Sequence, residues 1–189
     1  MLWSVDRVVR VVLVSEAITP PASATAWLKL QPGTLSESVV AAAVAMQPEY
    51  LVVDASHSAL LAEVLGECSL GLKGAIVSLV GRSTGDALHR LQMLASAQGS
   101  SSAMAGDMVV GSIDAVVQAT VLADGLLKVV EIAEPKASLD GELTAHALLT
   151  WIPGEDGSAS FTATGARSAL GAKLASAGSE VPQEILNRQ

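Results

Sequence analysis

The chain has 189 residues, a formal net charge of −8 and only 16% charged residues. Its mean hydropathy of +0.47 is high, yet the longest apolar run, Val39 to Met46, is far shorter than the ~18–20 residues of a membrane-spanning helix. The 11 basic residues are scattered, whereas phosphate binding needs clustered Lys and Arg. The composition argues against membrane and nucleic-acid partners, and it indicates an oligomer whose interfaces cover the excess apolar surface.

The compartment is predicted from two features. The single cysteine, Cys68, rules out an intramolecular disulfide and fits a reducing cytosol. The segment 1–7 lacks the basic region, apolar core and small-residue cleavage site of a signal peptide. We therefore expect a cytoplasmic protein.

The first half of the chain predicts alternating strands and helices. β-Branched and apolar runs predict strands at 7–14, 27–30, 50–55 and 75–80. Polar capping residues predict one helix that starts at Thr34 or Ser36 and ends near Met46, and another that starts at Ser83 or Thr84. The glycine-containing stretch 56–74 is ambiguous between helix and loop.

The second half begins after Gly99-Ser100-Ser101-Ser102, the clearest linker of the chain. This linker predicts a domain boundary that separates residues 1–99 from residues 100–189. Strands are predicted at 108–110, 128–133, 143–152 and 158–164. Helices are predicted at 113–127 and 168–177, and a polar loop at 135–141.

The same order of predicted elements occurs twice in the chain. The helix–strand pattern of 38–54 recurs at 115–132, and the strand–glycine–helix pattern of 75–88 recurs at 158–170. Such repetition predicts two similar halves with pseudo-symmetry. The predicted fold class is α+β, with two tandem ferredoxin-like α/β sandwich domains.

The side chains that carry chemistry form no recognisable reaction centre. His57, His89 and His146 have no carboxylate or thiol at a ligand spacing, and the gap between His57 and Cys68 matches no zinc pattern. The segment Gly81–Asp86 lacks the Gly-Lys-Ser/Thr ending of a phosphate loop, so a strand–helix turn is the favoured interpretation. We expect no enzyme, no metal site and no cofactor.

The loops are the remaining candidates for function. In a pseudo-symmetric assembly, corresponding loops converge on an axis, where glycine lets backbone approach backbone closely. The pore-lining candidates are Ser69, Leu70, Gly71, Leu72, Lys73, Gly74, Glu155, Asp156, Gly157 and Ser158.

Three segments resemble a known family. Ala123–Lys128, after a predicted Ala- and Val-rich helix, resembles the part of bacterial microcompartment shell domains that ends in an edge lysine. Gly71–Gly81 resembles their pore loop and following strand, and Gly157–Leu170 resembles their last strand and Ala-rich helix. Two copies in one chain are similar to the tandem-domain shell proteins, with the ethanolamine-utilisation type the nearest. The sequence departs from the family at Leu51, where a second edge lysine would stand.

The resemblance implies a structural shell protein located in a bacterial microcompartment. It implies a homotrimer that forms a pseudo-hexameric tile, with a central pore for small metabolites and with Lys128 at the tile edge, where other shell proteins meet. Some tandem shell proteins hold an iron–sulfur cluster through one pore cysteine per subunit. This makes Cys68 a candidate cluster ligand, although a buried or idle thiol is the favoured interpretation.

Two alternatives stay open. One is a small-molecule-binding regulatory protein of paired ferredoxin-like domains, with its ligand near Asp54, Asp107 or Glu131. The other is an enzyme whose active site is not recognisable from the sequence and which uses His57 together with Asp54.

Overall fold

The chain is mixed α/β, with five helices and two four-stranded sheets in the part that the computed structural model describes. The described residues are 10–14, 26–30, 38–54, 58–97, 99–138, 142–153 and 159–179. The chain divides into two compact units, Met1–Val80 (unit 1) and Gly81–Gln189 (unit 2). Within the described ranges, no helix is both long enough and apolar enough to cross a bilayer.

Unit 1 contains a parallel sheet whose strands lie in the order β2-β1-β3-β4. All three neighbouring pairs run parallel. Parallel neighbours need a crossover between them, and the helices supply it for the later strands. The elements of unit 1 are β1 (Arg10–Val14), β2 (Ala26–Leu30), α1 (Val39–Ala45), β3 (Tyr50–Asp54), α2 (Ser58–Ser69) and β4 (Ala75–Ser78).

The core of unit 1 forms where the helices meet the central strands. Leu51 and Val53 on β3 are fully buried, as parallel strands covered by helices usually are. Helix α1 begins at its cap Ser38, whose Oγ accepts a hydrogen bond from the Ala41 N–H. The same hydroxyl donates to Glu63 Oε2 on α2 at 2.6 Å, so one side chain both caps α1 and links it to α2.

Unit 2 contains an antiparallel sheet in the sequential order β5-β6-β7-β8. Helix α3 contacts β5, β6 and β7, and α4 contacts α3 and β6. The core includes Leu88 and Leu91 on α3, Val109 on α4 and Ala133 on β6. The elements are α3 (Thr84–Ala97), α4 (Ser102–Ser112), β5 (Val116–Val121), β6 (Leu127–Ala137), β7 (Leu143–Pro153), β8 (Ala159–Ala163) and α5 (Ala169–Ser176).

Two predicted elements of unit 2 are wrong. The predicted helix 113–127 is the strand β5 followed by a turn, and the predicted strand 108–110 lies inside α4. β5 alternates half-buried and exposed residues along its length, which is the two-residue period of a strand. The turn that follows uses Gly125 at φ +74°, a conformation that ends the extended chain. The predicted loop 135–141 is wrong over 135–137, because β6 continues to Ala137.

The two units differ in sheet type, and this bears on the predicted repeat. The sheet of unit 1 is parallel throughout and that of unit 2 is antiparallel throughout. The helix–strand pattern at 38–54 is indeed α1 and β3, whereas its counterpart at 115–132 is the hairpin β5–β6. The tandem ferredoxin-like arrangement is therefore not confirmed. The division of the chain falls between Val80 and Gly81, and the predicted linker 99–102 joins α3 to α4 within unit 2.

The remaining elements follow the sequence. The four strands predicted for the first half are β1 to β4, and the ambiguous stretch 56–74 contains α2. Helix α5 starts after Ser168, whose Oγ accepts from the Gly171 N–H at 2.7 Å. These predicted strands and the last helix are confirmed, with shifts of a few residues at the ends, whereas for the stretch 56–74 the sequence left helix and loop open.

Candidate functional site

The carboxyl edge of the parallel sheet is the first candidate site. Asp54 is the last residue of β3 and Ser78 is the last residue of β4, and the two residues are register partners on adjacent strands. The connections after β1 and β3 leave in opposite directions, since β1 leads to β2 on one side and β3 leads to β4 on the other. Ligands of open parallel sheets bind outside the strand ends at such a switch point.

A hydrogen bond joins the two polar side chains at this edge. Ser78 Oγ donates to Asp54 Oδ1 at 3.0 Å. Asp54 is half-buried and Ser78 is exposed. A carboxylate accepts about four hydrogen bonds in total, and Asp54 makes at least one further interaction within the chain besides the bond from Ser78. The pair suits recognition of hydroxyl or ammonium groups.

The predicted pore segment lies at the opposite edge of the same sheet. Ser69 ends α2, and Leu70 to Gly74 form the turn that leads into the amino end of β4. Leu70 is 84% exposed. The backbone of Gly74 packs against Glu49, since a Cβ built at Gly74 would lie 2.5 Å from the Glu49 carbonyl oxygen. The structure therefore does not bring this segment together with Asp54 and Ser78.

Other predicted residues fall outside the described part of the chain. They are His57, Glu155, Asp156, Gly157 and Ser158.

Lys128, the predicted tile-edge residue, lies at the start of β6 and is half-buried. Its Nζ donates to Asp124 in the preceding turn and lies 5.3 Å from the centroid of the Trp151 ring. The hydrogen bond from Lys128, followed by that from the Leu126 N–H, holds the pKa of Asp124 below its usual value. Lys128 thus has an ion-pair partner and an aromatic partner inside unit 2.

Cys68 lies near the end of α2 and is half-buried. Burial, and then the neighbouring charge of Glu67, raise the pKa of the thiol. A raised pKa lowers the fraction of thiolate, which is the form that binds metals and attacks disulfides. Within the described ranges, no three His, Cys, Asp or Glu side chains lie close enough together to hold a metal ion.

The segment Gly81–Asp86 is the turn into α3, as the sequence predicts. Ser83 Oγ accepts from the Asp86 N–H at 3.1 Å and caps the helix. The Asp86 carboxylate accepts from the Arg82 N–H and from its guanidinium, at 3.0 and 3.1 Å. These bonds, the backbone one first, hold the pKa of Asp86 below its usual value. The turn uses its own carboxylate where a phosphate loop would present amides to a ligand.

The other carboxylates proposed as ligand contacts lie in unit 2. Asp107 is exposed on α4. Glu131 on β6 is half-buried and accepts a hydrogen bond from the Thr84 hydroxyl at the start of α3. Glu131 thus links the helix to the sheet, which is a structural role.

The sequence does not single out Glu134, the most buried carboxylate of the described residues, which is 4% exposed on β6. Its oxygens accept from Ser168 Oγ and from the Ala169 and Leu170 N–H groups, at 2.6, 3.0 and 2.8 Å. Burial alone would raise the pKa of Glu134, but these hydrogen bonds outweigh burial and the pKa lies below its usual value. Its role is to cap α5. The one signal in the sequence is a charged residue between apolar strand residues.

Comparison with protein-family models and with curated proteins finds no match to this chain. We therefore infer the function from the geometry of the site.

Proposed function

We propose that this chain is a small-molecule-binding regulatory protein whose ligand binds at the carboxyl edge of the parallel sheet in unit 1. The observation that supports it is the hydrogen bond between Ser78 and Asp54, at the ends of two adjacent parallel strands. Asp54 also ends one of the two strands that flank the switch point of the sheet.

The chemistry of the pair defines the class of ligand. An ionised carboxylate accepts hydrogen bonds and attracts positive charge, and the adjacent hydroxyl can both donate and accept. Hydrogen bonds to a charged group are also about twice as strong as neutral ones. The proposed ligand is an amino acid, bound through its ammonium group, or a nucleoside or nucleotide, bound through its ribose hydroxyls.

Thermal unfolding with a panel of amino acids and nucleotides tests the proposal. A ligand at about 100 times its Kd adds about 2.7 kcal/mol to the stability of the folded state. For a chain of this size that corresponds to a rise in Tm of roughly 5 °C or more. We expect Asp54→Asn to abolish the shift and Ser78→Ala to reduce it.

A matched control removes a carboxylate from another place. Asp107→Asn neutralises an exposed aspartate on α4, and we expect the ligand-induced shift to persist in this variant. No shift with any member of the panel would refute the proposal, and so would a shift that survives Asp54→Asn.

The shell tile that the sequence resemblance implies is the second candidate. One observation is compatible with it: Leu70, in the predicted pore segment, is 84% exposed, although single exposed apolar side chains are also common on monomers. The hypothesis also requires two ferredoxin-like halves, and the contrast between a parallel and an antiparallel sheet weighs against this requirement.

Electron microscopy of the purified protein separates the two candidates. Hexagonal plates with a central hole would support a pseudo-hexameric homotrimer that passes metabolites. Small particles without plates, together with a ligand-induced thermal shift that depends on Asp54, would leave the regulatory protein as the function.

A further inference from the structure

β5, one of the two edge strands of the sheet in unit 2, has an uncharged and largely apolar edge. β5 is at the edge of the sheet β5-β6-β7-β8, so one side of its backbone has no strand partner among the described residues. Its sequence is Val-Val-Gln-Ala-Thr-Val. Natural edge strands are normally protected by charged side chains, by proline, by a bulge or by short length. β5 has six residues with no charge and no proline.

The alternation of β5 is also unbroken. Its only irregularity is a shift in register between Gln118 and Ala119, and the unpaired extra residue is Val130 on β6. Because the bulge belongs to β6, the side chains of β5 keep their two-residue period. Val117 and Val121 are 55% and 64% exposed.

The exposed apolar face continues onto the neighbouring strand. Residues that pair across an antiparallel ladder share a face of the sheet. Ala119 pairs with Val129, and Val121 pairs with Leu127. Val129 and Leu127 are 41% and 71% exposed. One face of the β5–β6 hairpin is therefore apolar and open.

We propose that β5 is a homodimerisation strand that pairs antiparallel with β5 of a second copy. The two-fold axis passes between the two copies of Ala119, which lie opposite each other. In this register Val117 lies opposite Val121 of the second copy, and Gln118 lies opposite its Thr120. Apolar residues meet apolar residues on one face and polar residues meet polar residues on the other. The five-residue pattern from Val117 to Val121 reads the same in both directions, which is the self-complementarity that a two-fold interface requires.

The charge of the chain is compatible with pairing at β5. Each copy carries a net charge of −8, so two copies repel each other on average. β5 has no charged residue, and its pairing brings no like charges opposite each other. The dimer joins the two sheets into one of eight strands and satisfies the backbone groups at both edges.

The interface also extends beyond the paired strands. A biological interface buries at least about 1,000 Å² in total. In the proposed register the turn that follows β5 runs beside the residues that precede β5 in the second copy. That turn carries Leu126, which is 59% exposed. To reach the area of a stable dimer, the interface needs apolar contact from this turn in addition to the hydrogen bonds of the strands.

Charge substitutions test the pairing by analytical ultracentrifugation. We expect the wild-type protein to sediment as a dimer of the 19.2 kDa chain. Val121→Glu should raise the dimer Kd at least about tenfold, because it places a carboxylate opposite an apolar side chain. Val117→Lys combined with Val121→Glu should restore the dimer, since a lysine and a glutamate then face each other twice across the axis. Phe161→Glu is the matched control on the opposite edge strand, where Phe161 is 39% exposed, and it should leave the dimer intact.

A disulfide test does not depend on a destabilising substitution. Residues directly opposite in an antiparallel pair have Cα atoms about 4.5–5.5 Å apart, which is within the range of a disulfide. In a Cys68→Ser background, Ala119→Cys should oxidise rapidly to a disulfide-linked dimer. Ala123→Cys, in the adjacent turn, should not, because the register separates the two copies of residue 123 by roughly 27 Å.

Salt dependence supplies a third measurement. Because the copies are both acidic, an increase in NaCl from about 50 mM to about 500 mM should screen their repulsion and lower the dimer Kd. A monomer or a trimer in the wild type would overturn the proposal. It would also be overturned by a dimer that Val121→Glu leaves unchanged, or by equal cross-linking at positions 119 and 123. None of these outcomes bears on ligand binding at Asp54.

Discussion

At the scale of single residues, the strongest prediction about stability concerns Glu134. It is buried on β6 and accepts hydrogen bonds from Ser168 and from two N–H groups at the start of α5. Removal of a buried charged acceptor leaves these donors unpaired, at a cost of about 1–3 kcal/mol. We expect Glu134→Ala to lower the free energy of unfolding in urea by that amount, and Glu134→Gln by less. The exposed Glu142, replaced by Ala, is the control and should change it by less than about 0.5 kcal/mol.

The contribution of Glu134 to the free energy of unfolding should also depend on pH. Its pKa in the folded protein lies below the ordinary value of 4.5, whereas the unfolded chain has the ordinary value. The stabilisation is therefore complete above pH 4.5, and it is lost as the pH falls below 4.5 through the folded pKa, because the unfolded state then binds more protons. The difference in unfolding free energy between wild type and Glu134→Gln should shrink over this interval. A difference that stays constant down to pH ~3 would contradict the assignment.

Replacing two glycines of unit 1 by alanine should change the stability of the fold in opposite directions. Gly74 has φ +73°, and an added Cβ would lie 2.5 Å from the Glu49 carbonyl oxygen. Gly66 lies inside α2 with open space around it. We expect Gly74→Ala to destabilise the fold by more than about 1 kcal/mol, and Gly66→Ala to stabilise it by about 0.5–1 kcal/mol. Urea titrations of both variants measure this. Equal effects at the two positions would contradict the packing of Gly74.

At the scale of elements, the strands of unit 1 could be predicted because each had a local signal: β1 and β3 are short apolar runs with turn residues beyond them. A proline marks the end of α1, but its cap is Ser38, whereas the predicted caps Thr34 and Ser36 lie outside the described residues. Helix α2 lies in a stretch that the sequence left open between helix and loop. β5 could not be predicted in the same way. Its valines and alanine also fit a helical face, and the strand is decided by pairing with β6 across the hairpin, which the pattern of β5 alone does not contain.

The candidate site was predictable only in part. Asp54 stood out as a carboxylate after an apolar strand, and it was named as a ligand contact. Ser78 was not singled out, because a serine at a strand end is common and its partner lies 24 residues away in sequence. The strand order decides which ends are neighbours, and no local pattern contains that information. Glu134 was missed for the same reason, since the helix it caps begins 35 residues later.

At the scale of the whole molecule, the predicted repeat illustrates the limit of pattern matching. A helix followed by a strand at 38–54 and a hairpin at 115–132 share the same succession of apolar and polar residues. The direction in which strands pair follows from the connections between them: helical crossovers give a parallel sheet, and tight turns give an antiparallel one. The two halves therefore differ in sheet type although their sequences resemble each other in pattern.

The last prediction concerns the position of the domain boundary. The contacts within the structure place it between Val80 and Gly81, whereas the linker 99–102 predicts it about 20 residues later. The fragment 81–189 keeps α3, whose Leu88 and Leu91 are 0% and 4% exposed, in a helix that contacts β6 and β7. The fragment 100–189 removes α3 and uncovers the part of the sheet that α3 contacts, while α4 still contacts β6. Loss of such a buried face costs several kcal/mol, which approaches the whole stability of a small domain.

We therefore expect fragment 81–189 to melt cooperatively by circular dichroism, with the full-length chain as reference, and fragment 100–189 to show no cooperative transition. A cooperative melt of the shorter fragment would place the boundary at the linker instead. In that case α3 would be a connecting segment, and its buried leucines would contribute little to the stability of the antiparallel sheet.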